Sequence, residues 1–365
     1  MEILPTSLGT RPRLAVEVRS EGVVAARAED AAALLTAVSR ADMAEGTVVP
    51  GLKPGNIVDR AAVVAAVRRA LEGVAVRTSE RYVTVVVPDA AVRVLLLDFD
   101  QLPSKPIEAL PVVRFRLKKL LPFDVEEAVV SYQVMSSAKA GVHVLAVAIP
   151  KVVLDEYEGV VTQAGYLPGA VLPSTLAALA SLDEAEAPVL VVNAGPASVT
   201  TAIVRNGVLL LHRSVDMNAD IDGNAPTAAV TSLPLEDRER SAEVWARQRL
   251  VDQEIDRFDA EAAIQTSVVE RAELHELAAS AASREIAQAV SVAAAYFEDT
   301  LQSAPEVLFS AGTLGAERLG ATLRDSGIEG LRVREVVEAG VLEAGAVTSS
   351  VPRGWLAGVR GALKN

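Results

Sequence analysis

Two β-hairpins far apart in the sequence have turns rich in polar residues and glycine. The first runs from Leu14 to Ala28 and turns shortly after Glu17 and Arg19; the second runs from Val189 to His212 and turns at Asn193-Ala194-Gly195. Alternating apolar residues bounded by such turns are typical of paired strands. Two tandem copies of such a domain are a known way to build a cleft that clamps a phosphate chain between the hairpin turns. The pattern by itself indicates an α/β protein with tandem hairpins.

Each hairpin is followed by helices and further strands. A helix capped by Asp59 carries Val63, Val67 and Leu71 on one face, as an amphipathic helix does. Strands are predicted on either side of Pro88-Asp89, and at Glu306–Ser310. At about 100–200 residues per domain, the length indicates two domains, and the pattern indicates an α/β protein.

Composition excludes several functional classes. The chain has 365 residues, no cysteine and a formal net charge of −13, so disulfides, iron–sulfur clusters and a cysteine nucleophile are excluded. Basic side chains are not clustered as a nucleic-acid groove requires, which predicts no nucleic-acid partner. No apolar run is long enough to span a membrane, and the first residues lack a secretion signal. We expect a cytoplasmic protein.

The most distinctive stretch is Phe115–Phe123, followed by Ser131-Tyr132-Gln133-Val134. It resembles the Leu-Pro-Phe and Tyr-Gln-Val segment of the type IV pilus assembly PilM family, within the actin-like ATPase superfamily. Further segments resemble other motifs of that family: Pro54–Asp59, Ala146–Lys151 with Ala164-Gly165-Tyr166, and Val191–Arg213. Together the likeness spans about residues 11–363.

The resemblance implies two tandem actin-like (ribonuclease H-like) domains, with a small α+β subdomain inserted in the first. We expect domain 1 at 1–182 with the insertion at about 50–150. Domain 2 follows at 187–339 and has a mobile loop at about 216–237. Residues 340–365 are expected to form C-terminal helices that pack back on domain 1.

The resemblance also implies ATP or ADP with Mg²⁺ in the cleft, but the matching loops depart from the family pattern. In the first hairpin Glu17 keeps the acid that would order Mg²⁺, whereas Arg19 replaces the glycine that lets backbone N–H groups approach phosphate. In the second, Asn193 replaces the acid and Gly195 remains. The cofactor-binding candidates are Glu17, Arg19, Ser20, Asn193, Gly195, Ser198, Gly312 and Thr313. We expect a degenerate cleft and no hydrolysis.

PilM-like proteins hold the N-terminal cytoplasmic peptide of an inner-membrane partner, PilN, between the inserted subdomain and the body of the first domain. The resemblance thus implies an adaptor in a type IV pilus or type II secretion-like machine, located at the inner face of the inner membrane beside other platform proteins. The partner-binding candidates are Arg114, Phe115, Lys118, Leu121, Phe123 and Tyr132. Homo-oligomerisation is left open.

Two alternatives stay open. One is an active Mg-ATP-binding ATPase or kinase of the same superfamily. The other is a membrane-tethered cytoskeletal protein like the cell-division protein FtsA, because Trp355, Leu356, Val359 and Leu363 form a short apolar pattern among basic residues, as in interfacial helices. Docking of this segment on the protein is favoured, since Gly354, Gly358 and Gly361 weaken an isolated helix.

Overall fold

Two five-stranded sheets with the same strand order form the framework of the protein. A computed structural model describes residues 12–75, 80–138, 141–182, 187–217, 268–342 and 351–364. Each sheet has its first strand in the chain at the centre, the next two strands on one side of it and two later strands on the other side. In each, the first three strands are antiparallel and the last two run parallel to the central strand. The hairpins predicted from sequence are therefore the matching halves of a duplicated fold.

The first sheet is built around a buried apolar hairpin. Every residue of its two strands is buried, as expected for strands covered on both faces. The strands of this sheet are β1 (Leu14–Val18), β2 (Gly22–Ala28), β3 (Leu35–Asp42), β4 (Tyr82–Val87) and β8 (Leu167–Pro173). Its helices are α1 (Arg60–Glu72), α3 (Lys151–Gln163) and α4 (Ser174–Ser181).

The second sheet packs against a long helix. Its strands are β9 (Val189–Ala194), β10 (Ser198–Arg205), β11 (Val208–Asp216), β12 (Val307–Ala311) and β13 (Arg332–Glu335), with helices α5 (Val268–Leu301) and α6 (Gly315–Asp325). Ile286, Val290 and Phe297 of α5 pack in one core with strand residues such as Leu190 and Leu308. The predicted loop at about 216–237 lies outside the described residues except for its first two positions, 216 and 217.

A separate three-stranded sheet, of order β5-β7-β6, is inserted in the first domain. Its elements are β5 (Arg93–Phe99), α2 (Pro106–Leu117), β6 (Ala128–Ala138) and β7 (Gly141–Pro150). The start of this insertion is predicted from sequence at about residue 50. In the structure, however, β4 is a strand of the first sheet, and α1 buries Val63, Val67 and Leu71 in the main core. The separate sheet thus begins at Arg93.

The inserted sheet has two differently covered faces. Leu95, Leu97 and Val144 pack with Val113 and Leu117 of α2 in a small core of their own. Residues of the opposite parity, Val94, Leu145 and Ile149, belong to the main core of the first domain. Since successive side chains of a strand point to opposite faces, α2 covers the side of this sheet that faces away from the body.

The last helix, α7 (Leu356–Leu363), is buried along its whole length. It packs against α4 and the strands β1, β2 and β4, and Arg360 donates to the carbonyl oxygen of Ser181 at 2.6 Å. The apolar residues of this segment are thus covered by protein. Within the described residues, no helix has the length and apolarity needed to cross a membrane.

Candidate functional site

Polar side chains of both domains meet where the central strands end. In the first sheet, Glu17 lies in β1, Asp89 follows β4 and Ser174 follows β8. In the second sheet, Asn193 lies near the end of β9 and Gly312 directly follows β12. Ligand sites of α/β sheets lie outside the carboxyl ends of their strands. The two sheets therefore form a cleft between the domains, and the side chains that line this cleft determine whether it can hold a ligand.

Glu17 is fully buried and paired with Arg19. The Nη2 atom of Arg19 lies 2.7 Å from Oε1 of Glu17, and the hydroxyl of Ser174 donates to the same oxygen at 2.6 Å. Burial raises the pKa of Glu17, although Arg19 and the Ser174 hydrogen bond act in the opposite direction. The carboxylate that would order Mg²⁺ is thus already engaged by a cation of the protein.

Asn193 joins the two domains directly. Its amide nitrogen Nδ2 lies 2.9 Å from Ser174 Oγ, 3.0 Å from Thr175 Oγ1 and 3.2 Å from Asp89 Oδ2. Asp89 in turn accepts hydrogen bonds from the backbone N–H of Thr175, at 3.0 Å, and from the Thr175 hydroxyl. An aspartate at position 193 would face Asp89 as a like charge, whereas the amide supplies donors.

Further contacts close the cleft beside Asn193. The Thr313 hydroxyl donates to Oε1 of Glu21 across the cleft, and the Ser20 hydroxyl donates to Oε2 of the same side chain at 2.8 Å. The N–H of Gly312 donates to the carbonyl oxygen of Gly354 at 3.0 Å. Gly312 has a φ of +90°, and a Cβ there would overlap the carbonyl oxygen of Ala194. Close backbone packing therefore explains why glycine is needed at this position, whether or not a ligand binds nearby.

The cleft does not fit the implied nucleotide. The cavity at its centre measures about 40 Å³, the room of one or two water molecules, whereas small-molecule sites measure roughly 300–1,000 Å³. The Arg19 side chain and the Asn193 cross-link take the space between the hairpin turns. Among the described residues, no group of acidic and histidine side chains is placed to hold a metal ion. The arrangement joins the two domains.

The eight cofactor-binding candidates do come together. Six of them line the cavity, namely Glu17, Arg19, Ser20, Asn193, Gly195 and Ser198, and Gly312 and Thr313 lie beside it. Asp89, Ser174 and Thr175 also belong to this site but are not among the residues predicted from sequence. The usable signal was their position, because Pro88-Asp89 and Pro173-Ser174-Thr175 follow strands that run parallel to β1. Strand β8 is not predicted from sequence, so Ser174 and Thr175 could not be placed beside Glu17.

A buried histidine lies close to this network. His212 of β11 is enclosed by protein, and burial lowers its pKa while the charge of Asp89 acts in the opposite direction. Its Nε2 atom makes no hydrogen bond to the described residues.

The six partner-binding candidates all belong to the outer half of the inserted subdomain. Phe115 is 71% exposed and Lys118 is exposed, whereas Leu121 and Tyr132 are half-buried against the small core beneath α2. Phe123 is half-buried too. Arg114 donates to the carbonyl oxygens of Val125 and Ala128 and so has a structural role. The structure thus leaves Phe115 and Lys118 as the freely accessible members.

The duplicated sheets, the inserted subdomain and the cleft define a two-domain protein of the actin-like ATPase fold. A scan against models of known families and a search of curated proteins both find no match. Among solved structures, the chain is similar to one of the PilM–PilN type IV pilus biogenesis complex. The TM-score is 0.63 and the identity 18%, over 96% of this chain and 98% of that one. At this identity the likeness establishes the shared fold.

Two further solved structures are less similar. One is the cytoplasmic domain of EpsL, an inner-membrane component of the type II secretion system of Vibrio cholerae, with a TM-score of 0.37 and 14% identity over 56% of this chain and 71% of that one. The other is the ethanolamine utilization protein EutJ from Carboxydothermus hydrogenoformans, with a TM-score of 0.42 and 11% identity over 97% and 89%. Neither adds to the assignment.

Proposed function

We propose that this protein is a non-hydrolysing, actin-like adaptor of a type IV pilus or type II secretion-like machine. In this role it binds the N-terminal cytoplasmic peptide of a PilN-like inner-membrane protein and lies at the inner face of that membrane. The observation that supports this most is the cleft, which is filled by Arg19 and bridged by Asn193. Because side chains of the protein already join the two domains, no nucleotide is needed to close the cleft. We therefore assign the protein a role in binding a partner. The structure most like it, of those named above, contains PilN.

The peptide site we propose lies between the inserted sheet and the body of the first domain. Val58, Val129 and Val152 are 63%, 43% and 54% exposed, and they come from segments that adjoin. Val129 pairs with Ile149 of β7, three residues before Val152. Val152 lies one helical turn before Glu156, whose carboxylate accepts hydrogen bonds from the N–H groups of Gly55 and Ile57. We call this surface the β6 groove.

An unpaired strand edge borders the β6 groove. β6 is one of the two edge strands of the order β5-β7-β6, and within the described residues no strand pairs with its other side. An extended peptide can add to such an edge through backbone hydrogen bonds while apolar side chains enter neighbouring pockets. The exposed valines supply the apolar part of that recognition.

A peptide-binding experiment tests this proposal. Fluorescence anisotropy would follow labelled N-terminal peptides of the single-pass membrane proteins encoded beside this gene. We expect saturable binding by the full chain, and its loss in Val152→Glu. Val292→Glu is the control, because Val292 is an exposed valine of α5, 36% accessible, outside the inserted subdomain. Absence of binding by every such peptide would contradict the proposal.

The same assay separates the β6 groove from the surface predicted by sequence. Phe115→Ala removes the most exposed aromatic side chain of the six partner-binding candidates. If Phe115→Ala abolished binding while Val152→Glu did not, the peptide would lie on α2 and the β6 groove would be the wrong site. We expect the reverse, since α2 faces away from the body.

Both alternatives meet obstacles in the structure. An active ATPase or kinase needs room that a cavity of about 40 Å³ does not give. An FtsA-like tether needs a free C-terminal helix, but Leu356, Val359 and Leu363 are buried against the first domain. We therefore do not favour either one.

A further inference from the structure

Helix α2 presents an apolar face to solvent. Its inner face buries Ala109, Val113 and Leu117. On the opposite face, Ile107 is 82% exposed and Phe115 is 71% exposed, with exposed Pro111 between them. These three residues follow one another at a spacing of four, so they share one side of the helix. We call them the α2 stripe.

Cations surround the α2 stripe. Residues 105–119 contain five cationic side chains and one acidic side chain, in a chain with a net charge of −13. Arg116, Lys118 and Lys119 are exposed and form no ion pair within the part of the chain that the structure describes. Lys105 lies at the other end of the helix, where it pairs with exposed Glu108 at 3.3 Å. The segment is thus basic along the chain, although Arg114 pairs with Glu126 at 3.3 Å and Asp98 and Asp100 lie beside Arg116. Lys118 and Lys119 are its exposed cations farthest in the sequence from Asp98 and Asp100.

We propose that this face of α2 lies on an anionic lipid surface. Protruding apolar side chains ringed by lysine and arginine are the composition of helices that rest in a membrane interface. The apolar residues enter the headgroup boundary and the cations are attracted to anionic lipids. The cations of this face attract anionic lipid phosphates. The rest of the acidic protein is repelled by them, so this is the face that would meet the membrane.

The shape of the surface also favours a lipid occupant. The Ile107 and Phe115 side chains of the α2 stripe protrude into solvent. The hollow adjoining α2 is lined by Asp98, Asp100 and Arg116, together with Phe99 and Gln101. Two carboxylates make this hollow unsuitable for an acidic peptide. A fluid lipid surface, in contrast, adapts to protruding side chains.

This inference is independent of the peptide proposal, because the α2 stripe and the β6 groove are on different faces of the inserted sheet. Co-sedimentation of the full chain with vesicles tests it. We expect binding to phosphatidylglycerol–phosphatidylcholine vesicles that weakens at high salt, and none to pure phosphatidylcholine vesicles. The double variant Ile107→Ser/Phe115→Ser should weaken binding at least about tenfold, since it removes the inserting apolar area. Lys118→Glu/Lys119→Glu should abolish it.

The control is Tyr82→Ser, which changes an aromatic side chain, 64% exposed, at the start of β4. It should bind vesicles like the unchanged protein. All altered side chains are exposed, so circular dichroism should show folded variants. Three results would overturn the inference: no binding to anionic vesicles, equal binding to neutral vesicles, or binding that survives both double variants. Peptide binding measured without vesicles should be the same in Lys119→Glu, which alters none of the six partner-binding candidates, as in the unchanged chain.

Discussion

Arg19 and Glu17, two residues apart at the end of β1, form a buried ion pair in which Nη2 lies 2.7 Å from Oε1. The pair lies where the family resemblance predicts a phosphate-binding glycine beside a metal-ordering acid. Arg19 also lies near the ring of Trp355, 5.8 Å from its centroid, and Arg40 lies 4.0 Å from the same ring. The cation is therefore held by both the first domain and the C-terminal segment.

Removing Arg19 should destabilise the protein strongly. Arg19→Ala leaves Glu17 buried without its cation, and breaking a buried pair in this way costs about 3–5 kcal/mol. The free energy of unfolding in urea measures this. The double variant Arg19→Met/Glu17→Gln, which removes both charges and keeps the volume, should recover most of the loss. Equal stability of Arg19→Ala and the unchanged chain would show that the pair does not hold the cleft.

The stability should depend on pH through Glu17. Burial raises its pKa in the folded state above the ordinary value of 4.5. The folded protein then binds more protons than the unfolded chain, so the contribution of Glu17 is fully present below pH 4.5 and is lost as the pH rises through the folded pKa. Glu17→Gln lacks this dependence. As the pH rises, the unfolding free energy of the unchanged protein should fall relative to that of Glu17→Gln. A difference that stays constant with pH would contradict the raised pKa.

Loss of the Asn193 amide should loosen the contact between the domains. Asn193→Ala removes hydrogen bonds to Asp89, Ser174 and Thr175. At about 1 kcal/mol each, roughly 2–3 kcal/mol of stability should be lost. Gln163→Ala is the control, since Gln163 makes an exposed side-chain contact with Arg60. Small-angle scattering should also show a larger radius of gyration for Asn193→Ala, and an unaltered radius and stability would count against the cross-link.

The packing of α7 against α4 should depend on the absence of a side chain at Gly361. A Cβ at Gly361 would overlap the carbonyl oxygen of Ala177 in α4, whereas at Gly340 nothing lies within 4 Å. Gly361→Ala should therefore displace α7 and expose the chain end to protease, while Gly340→Ala should not. Limited proteolysis followed by mass spectrometry compares the two. Equal resistance would mean that α7 is not docked as described.

The duplicated hairpins could be predicted because their signals are local. Alternating apolar residues and the Asn206-Gly207 turn identify paired strands without any long-range information. Strand β8 could not, because Pro168, Gly169 and Pro173 indicate a loop. It is an edge strand of the first sheet, where proline is tolerated. With β8 missing, Ser174 and Thr175 had no predicted position beside Glu17.

The sequence could not predict which apolar side chains of the inserted subdomain are buried and which face solvent. Phe115 and Leu121 have equally apolar side chains, yet Phe115 is exposed and Leu121 contributes to the small core under α2. Only the packing of α2 on the inserted sheet separates them. The role of Arg19 is a similar case, because its type indicates a departure from the family pattern, whereas its pairing with Glu17 requires the folded cleft.

Isothermal titration calorimetry of the full chain with Mg-ATP tests the filled cleft most directly. We expect no binding heat at millimolar nucleotide, because Arg19 and Asn193 take the space between the hairpin turns. Arg19→Gly, titrated in parallel, shows whether that side chain is the obstacle. Binding of Mg-ATP by the unchanged chain at micromolar concentration would contradict the account, since the domains would then be joined by nucleotide and not by their own side chains.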